Sequence, residues 1–513
     1  MLASVRRSRF RLKAAMLAAG CAGLAAAVLP AAQAPPARHT HVVIVVDGLR
    51  PDYVTADVMP RLFRLGQRGI VFNAHHAVFP TVTRVNGPSF VTGSYPETHG
   101  LMGNAIYIPK ANPARALDTG GRASLEAAER ADGPLLTAPT LGDILQRSGR
   151  KVLAVSSGSS GSAFLLNHTT TGGATVHPDF TLPPDLAVRA AARLGPAPPH
   201  ATPNDAQNRY AIDAYLALGL DEIHPDVTFV WLNDPDGTAH ASGIGTELTL
   251  KSLALVDAGI GHIEDVLGAR GLLDRTNIIV TSDHGFSTHA GGFRLSALVE
   301  PFAKPMPDGS MDIVVAEGAI YLRSRPDPER VAAIVAALQK RPEVGAIFTR
   351  PRPGGGFEGM VAGTLSFDVA RWNHARAGDI LVSSNWSHDR NQGFAGATRD
   401  GGTAGHGSSS PYDIHNTLMA AGPDFRERAS SDVPTSNVDL APTLLRLLEL
   451  PAPASMSGRV IQEGLRGGPA ISTIRVERLQ QTVKTSDNTY ELTAHLSVVD
   501  GRRYLDSTEV KRR

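Results

Sequence analysis

The sequence predicts an α/β protein: a doubly wound, mostly parallel sheet flanked by helices, with an inserted cap lobe and a small C-terminal β appendage. Two observations carry that expectation. Short Val/Ile/Leu runs alternate along the chain with longer stretches of helical periodicity, as in βαβ units. The first of the runs is apolar almost throughout rather than alternating, the pattern of a strand buried on both faces of a parallel sheet. At 513 residues, 42% hydrophobic and 19% charged, the chain can bury a sizeable core and is not disordered in composition.

The leader comes first. Arg6, Arg7, Arg9, Arg11 and Lys13 precede an uncharged Ala/Leu/Gly stretch over residues 14–37, with the small-residue run Ala31-Ala32-Gln33-Ala34. Basic, apolar and small-residue regions in that order predict a signal peptide over residues 1–34 and an exported protein, periplasmic or extracellular. Retention as an N-terminal membrane anchor is the alternative, since the stretch is long enough to span a bilayer. Cys21 reads as a small apolar residue of this region. The whole chain carries 50 Lys+Arg against 49 Asp+Glu, so losing five basic residues leaves 45 against 49 and moves the formal charge from +1 to −4.

In the remaining chain, residues 41–46 form the first predicted strand, ended by Asp47-Gly48, and a helix with Val58, Leu62 and Leu65 follows. Further strands are expected at 151–156, 227–232 and 277–281, and helices at 140–148 and 247–267. Gly/Pro-rich stretches near 105–137 and 170–205 read as surface insertions. Residues 295–400 read as the cap lobe, with strands at 312–315 and 380–383 and a helix at 328–339. Asp327 is its expected N-cap and Pro328 suits its first position. After Gly467 the polar/apolar alternation of 490–498 predicts the β appendage. The organisation is therefore a leader (1–34), a catalytic domain (38–466) and an appendage (467–513).

Composition narrows the chemistry. One cysteine excludes an intramolecular disulfide framework, an all-cysteine zinc site and an iron–sulfur cluster. Balanced charge gives no whole-chain argument for nucleic-acid binding. Any metal must be held by Asp, Glu and the 18 His. Three acidic motifs fall just past strand ends, where doubly wound sheets bind ligands: Asp47, Asp234-Pro-Asp236-Gly-Thr-Ala-His240 and Asp283-His284-Gly285. A fourth motif, Gly405-His406-Gly407, sits in a Gly/Ser-rich loop. Asp236 and His240, four apart, share a face if one helical turn forms there. Alone, each of these is more often a turn residue or a surface histidine. Together they outweigh that reading, and carboxylate with imidazole is the ligand set that suits zinc when thiolates are absent. Thr81 and Thr83, in Phe79-Pro-Thr-Val-Thr-Arg-Val-Asn86, are both candidate nucleophiles, and spacing does not choose between them.

In order along the chain stand Val46-Asp47-Gly48-Leu49-Arg50, the threonine segment, Thr92-Gly-Ser-Tyr-Pro-Glu-Thr-His-Gly100, Gly103-Asn104, and the Asp236/His240, Asp283/His284 and His406 motifs. As a set over roughly residues 40–450 they resemble the type I phosphodiesterase/nucleotide pyrophosphatase family of the alkaline phosphatase superfamily. The resemblance implies an alkaline-phosphatase-like fold and two Zn2+ ions. It assigns Asp236, His240 and His406 to one ion, and Asp47, Asp283 and His284 to the other with Thr83 bridging toward it. Thr83 becomes the nucleophile, Thr81 supporting structure, and Asn104 a hydrogen-bond donor to a phosphate oxygen.

The implied activity is hydrolysis of phosphodiester or pyrophosphate bonds through a covalent phospho-threonine. The substrate would be a small-molecule phosphoester, with a nucleotide one candidate, and no nucleic-acid polymer is implied. The alternatives are a phosphomonoesterase of the same superfamily and a catalytically inactive metal-binding protein. Two departures bear on this. Arg84 replaces the aromatic residue that usually follows the nucleophile, and could stack on a base or pair with phosphate. Pro88 favours a helix beginning near it rather than at Thr83. Asp439 is expected to cap the helix running to Leu448.

Overall fold

The computed structural model describes residues 38–170, 172–324 and 327–513. The predicted leader lies outside the described residues. Among them, nine strands form one large sheet. Its order is Ala429–Ser431, Ile70–Phe72, Leu418–Ala421, Thr276–Thr281, Thr40–Val46, Val227–Leu232, Val152–Ser156, Ala174–His177 and Phe180–Leu182. Five consecutive strands, from Thr276–Thr281 to Ala174–His177, run parallel, while Leu418–Ala421 and Phe180–Leu182 pair antiparallel.

The apolar run of the first strand explains the layers. Val42, Ile44 and Val46 point to one face and pack with Leu253, Val256 and Ile260 of the Glu247–Ala269 helix. Val43 and Val45 point to the other and pack with Phe90 of the Thr83–Thr92 helix and Leu444 of the Leu440–Leu447 helix. Successive side chains alternate faces, so only a continuous apolar run can fill both layers. Register then sets the site: Val45 lies opposite Thr281, and Val46 opposite Leu232. The residues following these three strands therefore emerge side by side at the carboxyl edge.

Two smaller sheets complete the upper part. The order Ile313–Ala316, Ala319–Leu322, Ile380–Ser384, Val344–Thr349, Leu365–Ser366 forms one, against which the Pro328–Gln339 helix packs. The Asp327 side chain accepts from Arg330 N at that helix's start. A second sheet, not foreseen, joins Trp386–Asn391, Phe394–Asp400, Ser287–Phe293 and Ala404–Gly405. It pairs Ser287 with Gly405 and so brings His406 against the Asp283-His284 loop. The alternating C-terminal segment forms strands Glu477–Lys484, Tyr490–Val499 and Arg502–Arg512, whose Leu492 and Leu496 share a core with Ile347 and Phe348.

Four expectations are corrected. Residues 170–205 are not only surface insertion, because Ala174–His177 and Phe180–Leu182 extend the main sheet and a helix, Pro184–Leu194, follows. Residues 105–137 likewise contain the Arg122–Asp132 helix, with Leu125 and Ala128 buried. Glycine and proline mark turns, but the pairing of short strands between them is a tertiary property. The nucleophile-bearing helix begins at Thr83 and runs through Pro88. Asn86 fixes that start, accepting from Val78 N at 2.7 Å and donating to Val82 O at 3.1 Å.

Asp439, finally, caps no helix amide of Leu440–Leu447 with its side chain. Its carboxylate instead accepts from Ser436 N at 2.8 Å, Arg459 N at 2.7 Å and the Tyr504 hydroxyl at 3.1 Å. Arg459 in turn forms a bidentate pair with Glu463, the two side chains being 5% and 1% exposed. This buried network ties the last strand to the main body through Tyr504. Glu463→Ala leaves a buried guanidinium without its partner and is expected to cost about 3–5 kcal/mol. Urea unfolding of the chain measures it, and a loss under about 1 kcal/mol, typical of a surface pair, would refute the buried role.

Candidate metal centre and nucleophile

Asp47 follows the Thr40–Val46 strand, Asp236 opens the Asp236–Ser242 helix behind Val227–Leu232, and Asp283-His284 follow Thr276–Thr281. His240 lies one turn along from Asp236, its Nε2 3.3 Å from Asp236 Oδ1. His406 brings a second Nε2 to that same oxygen, also at 3.3 Å. His284 Nε2 stands 3.1 Å from Asp283 Oδ2 and 3.6 Å from Asp47 Oδ1. Ligand atoms of Asp236, His240 and His406 lie within 4.8 Å of one another, as do those of Asp47, Asp236 and His284. Asp236 thus borders both groups, an overlap the motif spacing did not reveal.

The donor set fits divalent cations on its own geometry. Each imidazole gives its Nδ1 to a backbone carbonyl: His240 to Ala404 at 2.9 Å, His284 to Gly285 at 3.0 Å and His406 to Thr81 at 2.8 Å. That fixes the tautomer, leaving a bare lone pair on every Nε2. Those lone pairs face carboxylate oxygens, and Asp47 Oδ1, Asp236 Oδ1 and Asp283 Oδ2 are buried with no hydrogen-bond partner. Lone pair against lone pair, with three carboxylates together, is an arrangement that positive charge must close.

The acidities tell the same story. Burial, and then Asp283 and Asp236, push the Asp47 carboxyl well above its usual range, although the Trp231 indole N–H donates to it at 2.9 Å. Burial alone would raise Asp236 too, but His240 and His406 hold it well below. Asp283 is lowered by His284 against the same burial effect. Burial pulls His406 down to about 4, while His240 and His284, also buried, are raised by Asp236 and Asp283 respectively. Protons alone would have to be parcelled unevenly among these groups.

The two threonines separate clearly. Thr81 Oγ1 donates to Ser408 O at 2.8 Å and accepts from Gly407 N at 3.1 Å, so it ties the His406 loop. Thr83, first residue of its helix, turns its Oγ1 to His284 Nε2 at 3.3 Å. Asn104 sits beside it, its Oδ1 accepting from Arg84 N at 2.9 Å. The Arg84 guanidinium points away to Asp118 at 3.6 Å and Thr119 at 3.3 Å. Sequence reasoning missed Trp231, whose indole orients Asp47, and Arg50, which donates to Phe286 O at 2.6 Å and Ala395 O at 2.8 Å. The arginine of the Asp47-Gly-Leu-Arg50 run was a visible signal, whereas nothing in the sequence pairs Trp231 with Asp47.

An α/β sandwich with its ligand groups at the carboxyl edge defines the alkaline-phosphatase-like class, and solved structures share the fold. A mutant of alkaline phosphatase PafA superposes with a TM-score of 0.64 at 17% identity, covering 84% of this chain and 100% of that one. Murine ectonucleotide pyrophosphatase/phosphodiesterase 5, as an inactive variant in complex with AMP, gives 0.58 at 18% identity over the same shares. The type I phosphodiesterase / nucleotide pyrophosphatase profile matches residues 41–405, and the chain belongs to that family. Curated relatives include a venom phosphodiesterase of Naja atra, 24% identical over 80% of this chain and 44% of the relative. Ectonucleotide pyrophosphatase/phosphodiesterase family member 1 of Homo sapiens is 26% identical over 47% of this chain and 23% of its own length. The chain therefore spans less than half the length of these two relatives.

Zinc added to chelator-stripped protein is expected to raise its unfolding temperature, by the equivalent of about 2.7 kcal/mol at a hundredfold excess over Kd. Asp236→Ala should shrink that shift, because it removes a ligand of the His240/His406 group and a carboxylate that borders the other. An unmoved transition in the unmutated chain counts against a metal centre.

Proposed function

We propose that this chain is a metal-dependent hydrolase of phosphodiester or pyrophosphate bonds in small-molecule substrates, using Thr83 as nucleophile and two zinc ions as its metal. The observation that carries the reading is the placement of a helix-start hydroxyl, Thr83 Oγ1, 3.3 Å from His284 Nε2 and beside two acid/imidazole groups that share Asp236. The names of the relatives, phosphodiesterases and nucleotide pyrophosphatases, support it. Asp236, His240 and His406 would hold one ion, and Asp47, Asp283 and His284 the other. Asp and His without thiolate favour zinc. When bound, such cations supply the positive charge that eases loss of the hydroxyl proton and offsets charge on the departing oxygen.

The chain's own residues divide the remaining work. Thr83 Oγ1 attacks phosphorus, its P–O bond forming as the bond to the leaving alkoxide or phosphate breaks. Water then cleaves the resulting phospho-threonine ester and frees the hydroxyl. Asn104, with its Oδ1 already held by Arg84 N, turns its amide N–H2 to a non-bridging oxygen. Thr81 and Gly407 keep the His406 loop in register. Arg84 is turned to Asp118 at 3.6 Å and Thr119 at 3.3 Å, which favours diesters over monoesters. Export through the leader belongs to the same reading. No helix of the described residues is long and apolar enough to cross a membrane.

Thr83→Ala is expected to lower hydrolysis of a nitrophenyl phosphodiester at least about a thousandfold while retaining bound zinc by elemental analysis. Thr81→Ala should cost far less. If the Thr81 variant were the dead one, the nucleophile assignment would be wrong. Full activity in strong chelator would overturn the metal dependence.

A further inference from the structure

Beside the metal centre opens a cavity of about 350 Å³, lined by His406, Gly407 and Val82 on one side and by the Ala316–Ala319 turn on the other. Its remaining walls are largely apolar, including Phe79, Met102, Phe293 and Leu381. It contains two carboxylates, Glu317 and Asp400, and among the described residues no Lys or Arg lines it. A phosphoester site whose neighbouring cavity is acidic rather than basic discriminates by charge.

Glu317 is the carboxylate of the cavity that is tied to the Asn104 segment. Ala316 pairs with Ala319, so Glu317 and Gly318 form a two-residue loop at the tip of the hairpin. Its Oε2 accepts from Asn104 N at 2.7 Å. The Asn104 side chain in turn holds Arg84 N, at the start of the Thr83 helix. One residue therefore separates Glu317 from the start of the nucleophile helix. The hairpin is tied at its tip, where Val382 N donates to Gly318 O at 2.8 Å and a Cβ on Gly318 would meet Val382 O at 2.4 Å. Glu317 also adopts φ +51, a left-handed conformation that costs a non-glycine residue about 1–2 kcal/mol.

We propose that Glu317 is a charge selector: its carboxylate, fixed beside Asn104 at the edge of the cavity, admits phosphoesters that carry one negative charge and have a neutral, apolar substituent, and disfavours dianionic monoesters and substituents bearing further phosphate. The inference deepens the hydrolase reading and rests on it for the substrate class. Glu317 remains open to the cavity, yet the protein packed around it raises its carboxyl to about 6, against the pull of Arg84. It is ionised at neutral and alkaline pH. Arg84 does not cancel it for a ligand, since that guanidinium is shared with Asp118 on its far side.

Glu317→Gln and Glu317→Gly test this with non-hydrolysable probes on the zinc-loaded full chain. Phenylphosphonate is dianionic at pH 8, and its monomethyl ester is a monoanion of nearly the same shape. Calorimetry gives the ratio of their affinities. Removing the carboxylate should shift that ratio toward the dianion on the order of tenfold, as a unit charge several ångströms away does in a partly screened site. The glycine variant should match the glutamine variant although it also relieves the backbone. A parallel shift in kcat/KM for nitrophenyl monoester against diester is expected. An unchanged ratio, or equal losses for both probes, would reduce Glu317 to a structural prop and overturn the proposal. If no ester is hydrolysed by the unmutated chain, the hydrolase reading fails, while the binding ratio still decides the selector.

Discussion

Asp47, Asp236 and Asp283 end their segments at one edge of the sheet, each with a buried oxygen that accepts no hydrogen bond. Two such charges about 4 Å apart repel by roughly 4 kcal/mol even at a partly screened dielectric. Hydrogen bonding relieves only part of this, since the nearest imidazole nitrogens also present lone pairs. The arrangement is stable only when cations or protons occupy it. Much else in the structure serves to keep these six side chains from relaxing apart. Carbonyls of Ala404, Gly285 and Thr81 fix the three rings, Trp231 holds Asp47, and Gly48 N donates to Asp283 Oδ1 at 3.1 Å.

The bracing extends one layer further. Asn437 donates to Asp283 O and to Asn86 Oδ1, both at 2.8 Å, and accepts from His75 Nε2 at the same distance. It thereby couples a ligand loop to the residue that sets the start of the nucleophile helix. His75 is fully buried and pushed down to about 3, so it stays neutral and serves as a donor in this chain. Arg50 does similar work across the loop after His284, with its guanidinium also over the rings of Tyr53, Phe394 and Tyr412. These groups are costly to bury; Asn437 and His75 are satisfied by partners distant in sequence, and Arg50 by such partners together with neighbouring Asp52.

That distance explains which parts were legible in the sequence. The central strands were readable because burial on both faces demands a continuous apolar run, and their acidic ends because such sheets bind at that edge. Asp236 and His240 were readable as a pair because helical spacing is local. Thr83 could not be told from Thr81 by spacing; what separates them is where Ser408 and Gly407 arrive, more than three hundred residues later. Pro88 misled for a different, local reason. Its own preference is real, but the Asn86 side chain, bonded to Val78 and Val82 just ahead of it, outweighs it. Glu317 carried no signal at all, being a glutamate before a glycine in a predicted cap.

Charge balance connects the centre to its substrate. While Thr83 keeps its proton, three ionised carboxylates and three neutral imidazoles, completed by two dications, would leave one net positive charge in a buried site. A diester monoanion would neutralise it. A monoester dianion would overshoot, and Arg84 is turned to Asp118. Ionised Glu317 at the cavity edge makes that excess more costly still. An acidic side chain is at odds with a site for anions in general, but consistent with it once the anion is one whose charge the centre itself absorbs. Under the proposed function, ligand number and cavity charge favour the same substrate class.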